Sequence, residues 1–371
     1  MTTGYLFDER FLHHETGTID VLLPGGVIES VEHPSSSRIT RRTHALIAAS
    51  DLWDELTQLQ TTPATEDDLA LIHDRSYIRR IQDLCSTGGG EASTEIGEST
   101  PVVPESWDAA LLAVGGGMAS VDAVLDGRVG RAYALLRPPG HHAMRAAAMG
   151  FCIFNNVAIA ARHAQRRGAE RVMVIDWDVH HGNGTQAAFY DDPNVLFLSL
   201  HQDDWYPIGW GKVEDVGEGA GEGKTVNIPL PPGTGDKGYL EAFERVVIPI
   251  ARQFRPDLIL VSAGQDPSMR DPLARMMVTM DGFRSMAGMV RDVADEVSGG
   301  RLAVLQEGGY SPDYVPFCTL AVIEGLMGRR SSVGDPHEGA SELERSVEEY
   351  RPQQTAAIDQ VIAVQRRYWD L

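Results

Sequence analysis

Lysine is nearly missing from this chain. Only Lys212, Lys224 and Lys237 stand among 32 basic residues, against 53 acidic ones, and the formal net charge is −21. Such a field repels phosphate backbones, so the sequence argues against a nucleic-acid partner bound by charge neutralisation. A cationic small substrate or a basic peptide would be attracted, although solubility alone explains the same acidity. Cysteine is equally scarce. Cys85, Cys152 and Cys318 are odd in number, far apart and never in Cys-x-x-Cys spacing, so no disulfide framework is expected and a reducing compartment follows. The chain opens without a basic segment leading into an apolar stretch, and no apolar run reads as long enough to cross a bilayer. The expectation is a cytoplasmic protein with no membrane partner. A Gly-x-Gly-x-x-Gly turn between strand and helix is absent as well, which removes a dinucleotide fold, and no fixed-period repeat stands out.

What is present is ample core material, with 371 residues of which 43% are apolar and 23% charged. Length alone allows two domains of about 150 residues each, or one large α/β unit. Short runs rich in Val, Ile and Leu recur without polar alternation at Ala132–Leu136, Val172–Ile175, Val195–Leu200, Leu258–Ser262 and Leu302–Leu305. That is the pattern of strands buried on both faces of a parallel sheet. Helical stretches lie between them at Trp107–Leu125, Asn156–Arg167, Tyr239–Phe254, Asp281–Val297 and Val315–Met327, which predicts an α/β sheet with covering helices. The segment 341–371 is charged and then amphipathic. Ile358, Val361, Ile362 and Tyr368 can form one face of a helix docking back on the domain.

In open α/β sheets functional groups gather where strands end. The residues past the five runs are Arg137-Pro-Pro-Gly-His-His142, Asp176-Trp-Asp-Val-His-His-Gly-Asn183, Ser199-Leu-His201, Ala263-Gly-Gln-Asp266 and Glu307-Gly-Gly-Tyr310. If the second strand continues, Asp176, Asp178 and His180 project to one side, and Asp266 from a neighbouring strand end adds a ligand. Three protein ligands leave a fourth position for water, the arrangement of a catalytic zinc. By itself the Asp-x-Asp-x-His motif is equally explained by a helix cap or an arginine pair. His141 and His142 are expected to diverge on an extended chain, which suits acid and base work beside a metal better than two ligand positions. Tyr310 follows Gly308-Gly309 and offers a phenol to a developing oxyanion. In isolation a packed tyrosine after a turn is the plainer account.

Together these motifs resemble the zinc-dependent histone deacetylase family, which includes the acetylpolyamine amidohydrolases, and above all its class II branch and bacterial amidohydrolase relatives. The resemblance is carried by Arg137-Pro-Pro-Gly-His-His-Ala143, Met149-Gly-Phe-Cys-Ile-Phe-Asn-Asn156, Asp176-Trp-Asp-Val-His-His-Gly-Asn-Gly-Thr-Gln186, Asp271-Pro-Leu273 and Gln306-Glu-Gly-Gly-Tyr310. It extends from about Gly4 to Leu326. It implies an arginase/deacetylase α/β fold, one domain over residues 1–371, with a central eight-stranded parallel sheet and helices on both faces.

Carried over position by position, the resemblance implies zinc at Asp178, His180 and Asp266. His142 then matches the general base and acid, with His141 as its companion near the leaving amine. Asp176 stands behind His141 and Asn183 behind His142, where class I enzymes carry Asp. Tyr310 matches the phenol that polarises the carbonyl. Structural potassium, in one or two sites, is implied at Asp176, Ser199 and the main chain of Asp178, His180 and Leu200. The substrate passage falls to Gly150, Phe151, Tyr206, Leu273 and Gly308, with Phe151 and Tyr206 as facing aromatic walls. Glu98 is placed in a second substrate loop, holding the substrate backbone. Two departures stand out: Gly264-Gln-Asp-Pro267 replaces the common Gly-Phe-Asp-Ala, and Leu273 stands where polyamine-specific members carry glutamate. The implied reaction is removal of acetyl or other acyl groups from N-acyl-lysine or a similar small acyl-amine. Alternatives are an acetylpolyamine amidohydrolase, a two-manganese ureohydrolase, and an acyl-lysine or metal binding module without turnover. The oligomeric state is left open, a homo-oligomer included.

Overall fold

The computed structural model describes residues 2–23, 27–94, 99–337 and 351–371. Twelve strands form among them: β1 (Thr3–Leu6), β2 (Thr18–Leu23), β3 (Val27–Glu32), β4 (Leu56–Leu59), β5 (Gly90–Glu91), β6 (Pro101–Val102), β7 (Arg131–Ala134), β8 (Val172–Asp176), β9 (Val195–Gln202), β10 (Thr225–Leu230), β11 (Leu258–Ala263) and β12 (Leu302–Gln306). Eight of them make one parallel sheet in the order β10-β9-β8-β11-β12-β7-β1-β4. The pairs β2-β3 and β5-β6 are separate antiparallel ribbons.

Every residue of β7, β8, β9, β11 and β12 is buried, because helices cover both faces. Alternation divides the apolar side chains between two cores. Met173, Ile175, Leu196 and Leu198 enter one, with Phe283, Met286 and Val290 of the helix Met280–Val297 and Leu320 and Val322 of the helix Val315–Met327. Val172, Val174, Val195 and Phe197 enter the other, against the helices Arg75–Ser86, Ser106–Leu125 and Asn156–Arg166. The helix Arg351–Gln365 adds Ile358, Val361 and Ile362 to the first core, and Tyr368 packs against its rim.

Three sequence expectations need correction. The run Ala132–Leu136 is a strand only as Arg131–Ala134: Leu135 still donates to the Leu6 carbonyl at 2.9 Å, but it and Leu136 lie past the last paired residues. The helix expected over Tyr239–Phe254 starts at Asp236 and carries a π-helical turn, Phe243–Val247, before Ile248–Phe254. Pro249 has no N–H to return to the preceding turn, and a widened turn accommodates that gap. Finally, Ser106–Leu125 is long and apolar enough by composition to cross a membrane. About two thirds of its most apolar stretch is buried inside the protein, so its apolarity serves the second core.

Candidate active site

The strands β7, β12, β11 and β8 are neighbours in mid-sheet and run in one direction, so their C-terminal ends open together. Beyond β8 the chain lays β9 and β10 outward on one side and returns with β11 on the other. Such a reversal opens a crevice at the strand ends.

The strand β8 stops at Asp176 and does not carry Asp178 and His180 on one pleated face as expected. An irregular loop follows and separates the carboxylates. Asp176 Oδ2 meets His141 Nδ1 at 3.0 Å and its Oδ1 accepts from the Asp178 amide at 3.1 Å. Asp178 turns the other way, where its Oδ1 lies 3.1 Å from His180 Nδ1 and Asp266 Oδ2 lies 3.1 Å from the same nitrogen. One donor atom from each of Asp178, His180 and Asp266 falls within 4.8 Å of the others, and all three residues are buried. Main-chain amides fix both carboxylates: Gly308 donates to Asp178 Oδ2 at 2.8 Å and Val179 to Asp266 Oδ1 at 2.9 Å. A Cβ on Gly264 would lie 2.2 Å from Asp178 Oδ2, and one on Gly308 2.3 Å from Asp266 Oδ2 and 3.0 Å from the Tyr310 hydroxyl. Gly308 therefore forms part of the cradle of this cluster, directly beside the Tyr310 hydroxyl. Two buried carboxylates this close repel unless a cation lies between them, and with one imidazole they make a donor set suited to zinc.

His141 and His142 do not diverge. Residues 137–142 form bends and turns instead of extended chain, and the two rings stand 3.9 Å apart, both buried. Gly140 permits this, since a Cβ there would sit 2.4 Å from the Asn156 amide. His142 Nδ1 meets Asn183 Oδ1 at 2.8 Å. Glu307, inside the Gln306-Glu-Gly-Gly-Tyr310 motif, has no role implied by sequence alone, and the structure gives it one. Its Oε2 accepts from the amides of Gly140 at 2.6 Å and His141 at 3.1 Å, and its Oε1 from Ser262 Oγ at 3.1 Å. An acid directly past the end of a fully buried strand was the available signal.

These environments separate the two histidines. Burial would depress His141, but the charges of Asp178 and Asp176 outweigh it and push it up to about 10. Burial, with the neighbouring His141 and His180 charges, holds His142 well below its ordinary value. In the metal-free pocket burial would also depress His180, yet hydrogen bonds to Asp178 and Asp266 push it up to about 10. Burial and the Asp178 charge push Asp266 up to about 6, and burial pushes Glu307 up to about 7. Burial, reinforced by Asp266 and Asp178, raises the Tyr310 phenol well above its usual range, so it stays protonated as a donor.

A cavity of about 560 Å³ reaches this centre, with His142, His180 and Tyr310 along it and Gly150, Phe151, Tyr206 and Leu273 in its walls. Phe151, at φ 68°, turns its ring edge-on to Tyr310 at 5.6 Å, and Tyr206 meets His142 edge-on at 5.0 Å. Gly150 makes room for the base, since a Cβ would fall 2.4 Å from the His142 ring. Asp271 holds the amides of Tyr310 at 2.7 Å and Leu273 at 2.9 Å, fixing phenol and rim together. At the mouth the Trp205 indole donates to the Leu273 carbonyl at 2.8 Å, and Ile208 is exposed. Glu98 lies outside the described residues. Ser199 pairs in register with Asp176 but directs its hydroxyl to His201 Nδ1 at 3.0 Å, with Leu200 buried next to it. Gln265 replaces an aromatic ring with a buried amide joined to Gln306, whose Oε1 accepts from Tyr133 at 2.5 Å.

A carboxylate–imidazole–carboxylate centre on the strand ends of an eight-stranded parallel sheet defines a metal-dependent hydrolase of the arginase/deacetylase fold. The chain belongs to the histone deacetylase family, since the family model described as "Histone deacetylase domain" matches residues 33–326. With that membership it joins the deacetylases and amidohydrolases. It is 44% identical over 366 residues to a histone deacetylase-like amidohydrolase of Pseudomonas aeruginosa, covering 97% of this chain and 95% of that one. It is 36% identical over 347 residues to a probable deacetylase of Archaeoglobus fulgidus, covering 92% and 91%. Among solved structures it matches one titled "Crystal Structure of HDA15 HD domain" with a TM-score of 0.84 at 33% identity, over 99% of this chain and 96% of that one.

Proposed function

We propose that the protein hydrolyses N-acyl amides of the acyl-lysine type with a zinc ion held by Asp178, His180 and Asp266. The observation that carries this reading is the division of the histidine pair, His141 resting on the carboxylate of Asp176 and His142 on the amide of Asn183. A bound zinc supplies Lewis-acid polarisation of the carbonyl and an acidified water. The protein's own groups do the rest. His142 is neutral, commits Nδ1 to Asn183, and has Nε2 left to take a proton and later return it to the leaving amine. His141, its Nδ1 on the Asp176 carboxylate, stands beside it near the leaving amine. The Tyr310 hydroxyl donates to the oxyanion, and Phe151 and Tyr206 flank an apolar stem.

Leu273 at the rim favours acyl-lysine or a similar small acyl-amine over a long polyamine. Among the described residues the one carboxylate in the cavity wall, Asp204, is already paired with Lys212 at 3.3 Å, which supports the same preference. Potassium is proposed at Asp176, Ser199 and the carbonyls of Asp178, His180 and Leu200, with a purely structural role. The decisive experiment compares turnover of an acetyl-lysine peptide with that of acetylspermidine, with and without a hydroxamate chelator, alongside metal analysis of wild type and Asp266→Ala. Zinc retained stoichiometrically by Asp266→Ala, or faster turnover of acetylspermidine, would overturn the assignment.

A further inference from the structure

Beside the centre already described lies a second set of ligand-type side chains. His141, Cys152 and Glu307 each offer one donor atom, the three lie within 4.8 Å of one another, and all three residues are buried. They arrive from three separate places: the loop after β7, the tight turn in which Met149 and Cys152 exchange main-chain hydrogen bonds, and the end of β12. His141 gives Nδ1 to Asp176 and keeps Nε2, and an imidazole oriented by a carboxylate on its other nitrogen is the usual posture of a metal-bound histidine. Glu307 is held by two amides and a hydroxyl, which leaves a carboxylate lone pair free. Donors on one tetrahedral zinc stand roughly 3.3–3.8 Å apart, so from separations within 4.8 Å the three need to close by about 1.5 Å at most.

We propose that His141, Cys152 and Glu307 form a second, inhibitory site for a soft divalent cation such as Zn²⁺ or Cd²⁺. Thiolate, imidazole and carboxylate together select soft or borderline ions over Mg²⁺ and Ca²⁺. Binding exchanges the Cys152 thiol proton, the His141 Nε2 proton and, below about pH 7, the Glu307 carboxyl proton for the metal, and these protons go to solvent with no change of oxidation state. The site adjoins the first, since His141 Nε2 lies 3.7 Å from Asp178 Oδ1. An ion there withdraws His141 from the reaction. Only this inhibitory consequence rests on the function proposed above; the binding itself does not.

The test titrates Cd²⁺ into protein already holding one equivalent of zinc, reading bound metal, the thiolate-to-metal absorption band and hydrolysis. Wild type is expected to take up a second equivalent, develop the band and lose activity as it does. Cys152→Ala is expected to lack the band, to need about tenfold more cadmium for half-inhibition, and to keep its activity at one equivalent of zinc. Cys152→Ser, which retains the side chain's size with a hard oxygen, checks any loss of folding in the alanine variant. One equivalent only in wild type, or a second equivalent and band unchanged in both variants, overturns the proposal. A protein that binds the second ion with the band but never hydrolyses an acyl amide would keep this site and refute the proposed function instead.

Discussion

The phenol of Tyr310 and the imidazole of His180 carry the two sharpest expectations at the scale of single residues. Tyr310→Phe removes a donor that stays protonated beside two carboxylates, and should raise the barrier by about 2.7–4 kcal/mol, a loss of about 10²–10³ in kcat, with KM little changed. Undiminished turnover would remove Tyr310 from the reaction. His180 must lose its proton before it binds metal, and in the metal-free pocket that proton leaves only near pH 10. Zinc affinity should therefore tighten about tenfold per pH unit as pH rises towards that value. The slope should steepen below about 6, where Asp266 must also lose a proton. Competition with a fluorescent chelator from pH 5.5 to 8.5 reads this directly, and a flat profile would show that His180 is already neutral. The cluster members were legible in the sequence because their spacing after apolar runs is local. The cradle was not, because the amide that fixes Asp178 belongs to Gly308, 130 positions away.

At the scale of elements, the sheet was readable for a physical reason. Strands buried on both faces leave unbroken runs such as Val172–Ile175, and four of the five runs begin where the strand begins. What alternation could not supply was the path of the chain beyond a strand. The bends at 137–142 bring His141 and His142 together through contacts with Asn156 and Glu307, none of which is near in sequence. Gln265 is similar: its polarity looked like a disturbance of the metal loop, yet partners on β7 and β12 satisfy it within the core. The C-terminal helix was visible as one apolar face, and its contribution can be measured. Ile358 is fully buried, so Ile358→Ala should cost about 2–5 kcal/mol in urea unfolding. A cost near zero would show that this helix unfolds apart from the core it covers.

Over the whole molecule, stability should fall on the acid side. Burial holds His73 and His201 neutral, each lowered to about 4, and pushes His14 and His181 down as well. His73 needs that state, because its Nε2 accepts from the Asn155 amide at 2.9 Å. Between pH 6.5 and 4 the unfolded chain binds more protons at these residues than the folded one does, so stability present above 6.5 is lost as pH falls. The limit is about 3 kcal/mol each for His73 and His201. Glu307, raised to about 7, Asp176, raised to about 6, and Asp271, raised well above its ordinary value, oppose this in part, while His33 and His142, also held down by burial, add to the four imidazoles. Thermal midpoints of the zinc-loaded protein at pH 7, 5.5 and 4.5 should decline in that order, and equal midpoints would show that these imidazoles are charged in the fold. The tie between Trp205 and Leu273 at the mouth has an optical consequence. The chain carries six tryptophans, and Trp205 has its indole in the cavity wall and 38% of its surface open to water. A ligand entering the passage changes the solvation of that fluorophore, so occupancy of the mouth can be followed from the protein's own emission, without a label and before any bond is cleaved.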